Sequence, residues 1–201
     1  MDYPNSNDTQ LIKKLAAQAL DARREYIDAK LAATGKMLAT DRPILALCGP
    51  SRCGKDTAAI WLSTQFKVPF VGSVSSVVAP LVSEVIGDTV EQVLLDRHDH
   101  RNFWFSFCNA LRETDPTLLV RLTLADNGII SGIRAAIELQ ASIEAKLIDL
   151  AVWIDRASYY GADTTVEYDA DNCDVTIRNT TRVEFYRRLY RLGSAVYAYR
   201  I

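Results

Sequence analysis

The feature that most constrains the fold is a glycine-rich loop between an apolar run and a helical stretch. Residues 43–48 read Pro-Ile-Leu-Ala-Leu-Cys, and residues 49–55 follow as Gly-Pro-Ser-Arg-Cys-Gly-Lys, the pattern G-x-x-x-x-G-K. Gly49 and Gly54 allow the backbone to turn tightly, so that its N–H groups converge on phosphate oxygens. The following helix adds the positive end of its dipole, and Lys55 neutralises phosphate charge. The sequence therefore predicts a phosphate-binding loop after a buried strand.

Short apolar runs alternate with helical patterns along the rest of the chain, as is typical of a parallel sheet covered by helices on both faces. The predicted strands are residues 43–48, 68–71, 128–131, 150–154 and 174–177. The predicted helices are residues 54–66, 74–87, 89–112, a helix begun by Asp115-Pro116, 135–147 and 181–192. We therefore expect an α/β fold of three α/β/α layers with a five-stranded parallel sheet.

One further helix is predicted ahead of this unit. Apolar side chains recur at helical spacing from about residue 8 to residue 34, namely Leu11, Leu15, Ala19, Ala22 and Tyr26. Asn7 or Asp8 can cap the start of this helix, and Gly35 marks its end. We expect residues 1–40 to form an N-terminal helical extension and residues 41–201 to form the main domain, with a possible homodimer.

Composition and charge narrow the class of protein. The 201 residues are 49% hydrophobic and 24% charged, which is enough apolar material for a globular core. The formal net charge of −2 argues against binding nucleic acid through bulk charge. The four cysteines form no C-x-x-C pair, which disfavours a disulfide scaffold or a zinc site. No apolar run of about 18 residues and no signal-peptide pattern is present, so we expect a cytoplasmic protein without a membrane partner.

The sequence Gly54-Lys55-Asp56-Thr57 resembles the P-loop of phage deoxynucleoside monophosphate kinases, which are adenylate-kinase-like P-loop kinases. Weaker similarities follow in order and extend the resemblance to residues 43–195, although only the loop is specific alone. They cover the acceptor-binding helices (97–121), the third-strand segment (131–139), the strand leading to the lid (152–156) and the last strand with its turn (174–181). The resemblance implies a P-loop NTPase-type fold, with an acceptor-binding region at about 73–125 and a lid at about 155–172.

The resemblance also implies an activity, namely ATP- and Mg²⁺-dependent phosphoryl transfer to a nucleoside monophosphate, in particular a deoxynucleotide. No side-chain nucleophile is required, because the acceptor phosphate attacks the γ-phosphorus directly. A phage-encoded kinase of this kind would act in the host cytoplasm. The ATP-binding residues implied by the resemblance are Gly49, Ser51, Arg52, Cys53, Gly54, Lys55, Asp56, Thr57 and Asn179.

The metal site departs from the common P-loop pattern at two positions. Ser or Thr normally follows the lysine and binds Mg²⁺, but here Asp56 follows Lys55 and Thr57 comes next. A carboxylate is also expected at the end of the third strand, where residues 129–132 supply none. Either the metal site is rearranged around Asp56 and Thr57, which we favour, or catalysis is weak or lost. Asp56 could instead only cap the helix, and a carboxylate could come from Asp126 or Asp155.

Arginine suits the positive charge that phosphoryl transfer needs around the acceptor phosphate and the transferred group. The predicted acceptor-binding residues are Arg97, Arg101, Trp104, Arg112, Arg121 and Arg134. The predicted catalytic residues are Lys55, Arg52, Arg134 and Arg156, the last of which opens the lid. Any of these arginines could instead form a surface ion pair, and Arg134 has the i,i+4 spacing to pair with Glu138 on a helix. His98 and His100 are predicted to be a surface polar cluster rather than a metal site.

Two other functions fit parts of the sequence. A related P-loop kinase could phosphorylate a hydroxymethylated base within phage DNA, which would make DNA a partner and require a basic groove. The N-terminal helix and residues 182–191 could form that groove, and the second segment carries Arg182, Arg187, Arg188 and Arg191. A non-catalytic nucleotide-binding module is the third possibility, and the missing strand-end carboxylate is its support.

Overall fold

Parallel strands form one sheet in the computed structural model, which describes residues 3–156 and 165–197. The strands are β1 (Leu45–Cys48), β2 (Ile129–Ser131), β3 (Leu150–Asp155) and β4 (Val175–Arg178), in the order β2-β1-β3-β4. Every strand pair is parallel, and Leu47 of β1 lies level with Ser131 of β2 and Val152 of β3. β1 is buried along its whole length, as its continuous apolar sequence predicts. The protein therefore has an α/β fold built on a parallel sheet.

The predicted fifth strand, residues 68–71, is wrong, because the sheet of the described residues has four strands. This segment lies beside the residue that precedes β2, where the Gly128 N–H donates a hydrogen bond to the Pro69 carbonyl at 2.8 Å. Pro69 has no N–H with which to continue a ladder. The Val71 N–H donates to Asn127 Oδ1 at 2.6 Å, so a side chain takes the place of a strand partner.

Helices cover both faces of the sheet. They are α1 (Thr9–Ala22), α2 (Arg24–Leu38), α3 (Lys55–Phe66), α4 (Val74–Ile86), α5 (Val90–Leu95), α6 (Arg101–Thr114), α7 (Leu118–Leu124), α8 (Ala136–Glu144) and α9 (Arg182–Tyr197). Side chains alternate along β1: Leu45 and Leu47 join a core with α3 and α9, and Ala46 and Cys48 join a larger core with the other helices. This alternation follows from the two-residue period of a strand, and it is consistent with three α/β/α layers.

The N-terminal region forms two helices, so the prediction of one helix over residues 8–34 is wrong. The chain leaves helical geometry at Arg23, where φ is −108° and ψ is 23°. Gly35 lies inside α2 instead of ending it. Asp8 caps the start, since its side chain accepts the Leu11 N–H at 3.0 Å. The break lets α1 pack on α4 and α6 while α2 packs on α7.

The predicted helix at 89–112 is also divided. α5 ends before a 3-10 turn at Asp96–His98, and α6 begins at Arg101. His100 precedes α6 with φ −108° and ψ 30°, and its ring stacks on Tyr3 with the ring centroids 3.7 Å apart. Residues 157–164 of the predicted lid lie outside the described residues. The described part continues from Thr165 into a 3-10 turn at Ala170–Asn172.

None of the helices in residues 3–156 and 165–197 is long and apolar enough to cross a membrane.

Gly193→Ala is expected to destabilise the protein, although alanine favours helices more than glycine does. A Cβ at position 193 in α9 would lie 2.1 Å from Cε2 of Phe66. The Phe66 ring contacts the rings of Trp61, Tyr190 and Tyr197, so it has little room to move. Overpacking outweighs the helix preference, and we expect a loss of about 1–2 kcal/mol in the free energy of unfolding by urea denaturation.

The matched control is Gly35→Ala in α2, where nothing lies within 4 Å of the new Cβ. This change should stabilise the protein by about 0.5–1 kcal/mol, because only the helix preference acts. Equal effects of the two substitutions would contradict the packing of α9 against Phe66.

Candidate functional site

The loop between β1 and α3 uses backbone conformations that only a few residue types adopt easily. Gly49 has φ +128° and Gly54 has φ +107°, and a Cβ at either position would clash. At position 49 it would lie 2.7 Å from the carbonyl oxygen of Ile154, and at position 54 it would lie 2.6 Å from Nδ2 of Asn179. Arg52 has φ +60°, in the left-handed region that is uncommon for side chains of this size. The loop shape therefore depends on both motif glycines.

Lys55 begins α3 and is buried beneath the loop, with 7% of its surface exposed. Its Nζ donates to the carbonyl oxygens of Gly49 at 2.8 Å and Pro50 at 2.6 Å. Burial lowers the pKa of Lys55, and the nearby Arg134 guanidinium acts in the same direction. The lysine thus places a poorly solvated positive charge at the loop.

Two side chains from the neighbouring strand ends brace the loop. Asn179, just after β4, donates from Nδ2 to the Cys53 carbonyl at 2.8 Å. Arg156, just after β3, donates from Nη1 to the Arg52 carbonyl at 3.3 Å. Asn179 and Arg156, the residues expected to bind ATP and to assist catalysis, therefore both contact the loop backbone.

A cavity of about 250 Å³ opens beside the loop and extends toward the helices at 74–112. Its lysine and arginine side chains come from the loop, the start of α3, the 3-10 turn before α6, α6 itself and the β2–α8 connection. They are Arg52, Lys55, Arg97, Arg101, Arg112 and Arg134. Its hydroxyl side chains are Ser51, Ser73, Ser75, Ser131 and Thr165, and its aromatic side chains include Trp104 and Phe105. The structure therefore brings five of the six predicted acceptor-binding residues to one cavity, together with four of the predicted ATP-binding residues, Ser51, Arg52, Lys55 and Asp56.

The charges in this cavity are strongly unbalanced. Asp56 is the only carboxylate among the described residues that line it. Burial lowers the pKa of Arg97, and the charge of Arg134 lowers it further. Burial also lowers the pKa of His98 at the cavity wall, with the guanidiniums of Arg97, Arg52 and Arg101 acting in the same direction. A cavity of this composition favours an anionic ligand.

Asp56 and Ser131 both line the cavity and contact each other there. Asp56 is the second residue of α3, and Ser131 is the last residue of β2. The Ser131 hydroxyl donates to Asp56 Oδ1 at 2.7 Å. In the sequence, residue 131 stands out only because it is not a carboxylate, and no local pattern shows that its hydroxyl contacts Asp56.

Thr165 is a second cavity residue that sequence reasoning missed. Its Oγ1 accepts from Arg101 Nη2 at 3.2 Å and from Arg134 Nη1 at 3.5 Å. The next residues run along the β2–α8 connection, where the Glu167 N–H donates to the Arg134 carbonyl at 3.0 Å. Thr165 lies in a polar stretch without periodicity, so no sequence signal distinguishes it from its neighbours.

Arg112 lines the cavity but is already engaged by a buried carboxylate. Its Nε and Nη2 both approach Glu138 Oε2, at 2.9 and 2.8 Å, and both side chains are almost fully buried. Its Nη1 donates to Asn109 Oδ1 at 2.7 Å. Glu138 therefore pairs with Arg112. The spacing of Arg134 and Glu138 suggests an ion pair on a helix face, but Arg134 precedes α8. Arg112 supports the cavity wall more than it offers a free donor.

Two predicted site residues lie elsewhere. Arg121 on α7 forms an ion pair with Asp115, which precedes this helix. Arg121 is not among the described residues that line the cavity. Its carbonyl accepts the hydroxyl of Thr34, so this residue ties α7 to α2. Thr57 is exposed on α3 and is likewise not among the described residues that line the cavity. Its neighbour Asp56 does line the cavity. His98 is exposed, as predicted for a surface residue, and it also lines the cavity.

Comparison with known proteins gives no relative, since no family model, no curated protein and no solved structure matches the chain.

Arg112→Met is expected to destabilise the fold in a pH-dependent way. Burial already raises the pKa of Glu138, and removing the guanidinium would leave that carboxylate uncompensated. We expect a loss of about 3–5 kcal/mol at pH 7 in urea denaturation. A carboxyl with a raised pKa in the folded state binds its proton more tightly than the unfolded chain does, so the loss should shrink as the pH falls toward 5.

The control for this prediction is the double variant Arg112→Met/Glu138→Leu, which removes both charges. It should recover most of the stability at pH 7, because no buried charge is left unpaired. A single variant as stable as the wild type, or a loss that is the same at both pH values, would show that the pair is not buried as described.

Proposed function

We propose that the protein is a P-loop kinase that transfers the γ-phosphoryl group of ATP to a nucleoside monophosphate, with a deoxynucleotide as the favoured acceptor. The observation that supports this function best is that one cavity is lined both by the glycine-lysine loop and by arginines from the 3-10 turn at Asp96–His98, from α6 and from the β2–α8 connection. A loop of this kind suits the donor polyphosphate. The arginines suit a second phosphate, because a guanidinium can hold phosphate oxygens with two parallel hydrogen bonds.

The donor would lie on the loop. The backbone N–H groups of residues 51–55 and the N-terminus of α3 would bind its phosphates, and Lys55 would leave the loop carbonyls to contact the transferred group. Asn179 would keep the loop in shape through its bond to the Cys53 carbonyl. Arg52 and Arg156 lie where they would add positive charge to this side.

The acceptor would lie on the opposite side of the cavity. Arg97, Arg101 and Arg134 would hold its phosphate, and Trp104 with Phe105 would supply the apolar surface for its base. An oxygen of the acceptor phosphate would attack the γ-phosphorus, the bond to the β–γ bridging oxygen would break, and ADP would leave. Positioning and positive charge are the main contributions that such a transfer asks of a protein.

Magnesium fits this site through the chemistry of its donors, since Asp56 and Ser131 present hard oxygen atoms beside the loop. When bound, Mg²⁺ would neutralise charge on the donor phosphates.

The decisive assay is ADP release with ATP and Mg²⁺ against all ribo- and deoxynucleoside monophosphates. We expect turnover with one or a few of them, and Lys55→Ala should abolish it, because the charge at the transferred group is lost. If no nucleoside monophosphate gives turnover while ATP still binds, the proposed function is contradicted. That result would leave hydroxymethylated bases in DNA as the next substrate to test, and a non-catalytic nucleotide-binding module if those fail too.

The acceptor side makes a separate prediction. Arg97→Ala should raise the KM for the acceptor by about 10- to 100-fold, the loss expected for a charge-assisted hydrogen bond of about 1.5–3 kcal/mol. The KM for ATP should change much less. The matched control is Arg187→Ala on α9, an exposed arginine that pairs with Glu184, which should leave both constants unchanged. Equal increases in the KM for the acceptor and in the KM for ATP would contradict the assignment of Arg97 to the acceptor side.

A further inference from the structure

We infer that this protein binds its divalent cation through a reversed pair, in which the helix residue supplies the carboxylate and the strand-end residue supplies the hydroxyl. The inference rests on the proposed function, since the cation is the one that accompanies a polyphosphate on the loop. P-loop NTPases commonly hold Mg²⁺ with the Ser or Thr after the lysine and with an Asp at a strand end. Here Asp56 occupies the first position and Ser131 the second. Both chemical groups are kept, and their places are exchanged.

The geometry shows that the two groups form one unit. The Ser131 hydroxyl donates to Asp56 Oδ1 at 2.7 Å across the gap between β2 and α3. Ser131 is fully buried and lies level with Leu47, two residues before Gly49, so the sheet fixes its hydroxyl next to the loop. Gly132 follows with φ +105°, which turns the chain away from the strand at this point. The position of the hydroxyl is therefore set by backbone pairing.

The charges that surround Asp56 in the cavity are consistent with a role for its carboxylate in binding a cation. Asp56 is the only carboxylate among the described residues that line the cavity, where it lies with Arg52, Lys55, Arg97, Arg101 and Arg134. A cavity meant only for anions would bind them more tightly without it, because Asp56 repels phosphate. A cation held between Asp56 and the phosphate converts this repulsion into attraction. The carboxylate thus favours a phosphate that arrives with a metal ion.

The number of donors explains why metal and phosphate should bind together. Mg²⁺ requires about six oxygen ligands and usually keeps several waters. The pair supplies two side chains, and no group of three or more acidic, histidine or cysteine side chains in the described ranges could hold a metal ion. The remaining ligands must be phosphate oxygens and water. The free protein should therefore bind the cation weakly, and a polyphosphate should raise its affinity.

The experiment measures metal binding apart from turnover. Binding of Mn²⁺ to the full chain is followed by electron paramagnetic resonance, with and without tripolyphosphate, and the Kd of ATP is measured with Mg²⁺ and with a chelator. Asp56→Asn should weaken Mn²⁺ binding in the presence of tripolyphosphate by about 10- to 100-fold, and Ser131→Ala should weaken it within the same range. The gain in ATP affinity that Mg²⁺ gives should largely disappear in Asp56→Asn.

Three further variants make the test specific. The exchange variant Asp56→Ser/Ser131→Asp restores the common arrangement, and it should bind Mn²⁺ more tightly than Asp56→Ser alone. Thr57→Ala tests the neighbouring hydroxyl and should leave Mn²⁺ affinity unchanged. Thr64→Ala is the control, since this exposed hydroxyl lies on the same helix and bonds only to the Ile60 carbonyl among the described contacts. Thermal melting establishes that each variant is folded; if the exchange variant is not, the two single variants decide.

The possible outcomes separate the two proposals. Wild-type Mn²⁺ affinity in Asp56→Asn, or a loss in Thr57→Ala but not in Ser131→Ala, would overturn the reversed pair even if the enzyme turns over. If Asp56→Asn instead binds ATP more tightly both with and without metal, Asp56 is only a counter-charge, which also overturns it. Asp56-dependent Mn²⁺ binding with tripolyphosphate, but no turnover with any acceptor, would support the metal site and contradict the proposed activity.

Discussion

Parallel pairing of β1 with both of its neighbours is the constraint on which the rest of the site depends. Because parallel strands end at the same edge of a sheet, the residues that follow them are brought together whatever their distance in sequence. The loop follows β1, Gly132 follows β2, Arg156 follows β3 and Asn179 follows β4. The register fixes this meeting, with Cys48 level with Trp153 and Leu47 level with Ser131. A shift of one residue in β1 would separate the loop from its supports.

The helices supply what the sheet cannot, which is the wall of basic side chains opposite the loop. α6 carries Arg101, Trp104 and Arg112, and its inner face is buried through Phe103, Phe107 and Leu111. α1 packs on α6 and α4, and it buries Ile12, Ala16 and Ala19 there. The N-terminal helices and the cavity wall therefore share one hydrophobic core, so a disturbance of α1 can reach the arginines without any direct contact with a ligand.

The sequence of a segment was sufficient to predict its structure where that structure depends on contacts within the segment. The unit of β1, loop and α3 follows from an apolar run, two glycines and a lysine, and four of the five predicted strands are present. Local sequence failed where a contact outside the segment decides. Asn127 accepts the Val71 N–H from 56 residues further along the chain. Arg121 pairs with Asp115, just before α7, and is not among the described residues that line the cavity. The break at Arg23 has no sequence signal either, because it arises from packing α1 and α2 against different helices. The meeting of Asp56 with Ser131 required the strand register, which no single segment contains.

Lys55 gives the loop a property that its sequence does not show. In this structure the ammonium group is bound by the carbonyls of Gly49 and Pro50, so the loop is occupied by part of its own chain. Under the proposed function, an incoming phosphate would compete with these two carbonyl oxygens for the same ammonium group. Weak or singly charged anions would lose that competition, and polyanions of high charge density would win it. The loop would thus discriminate among anions by charge density before any part of the ligand beyond its phosphates is recognised.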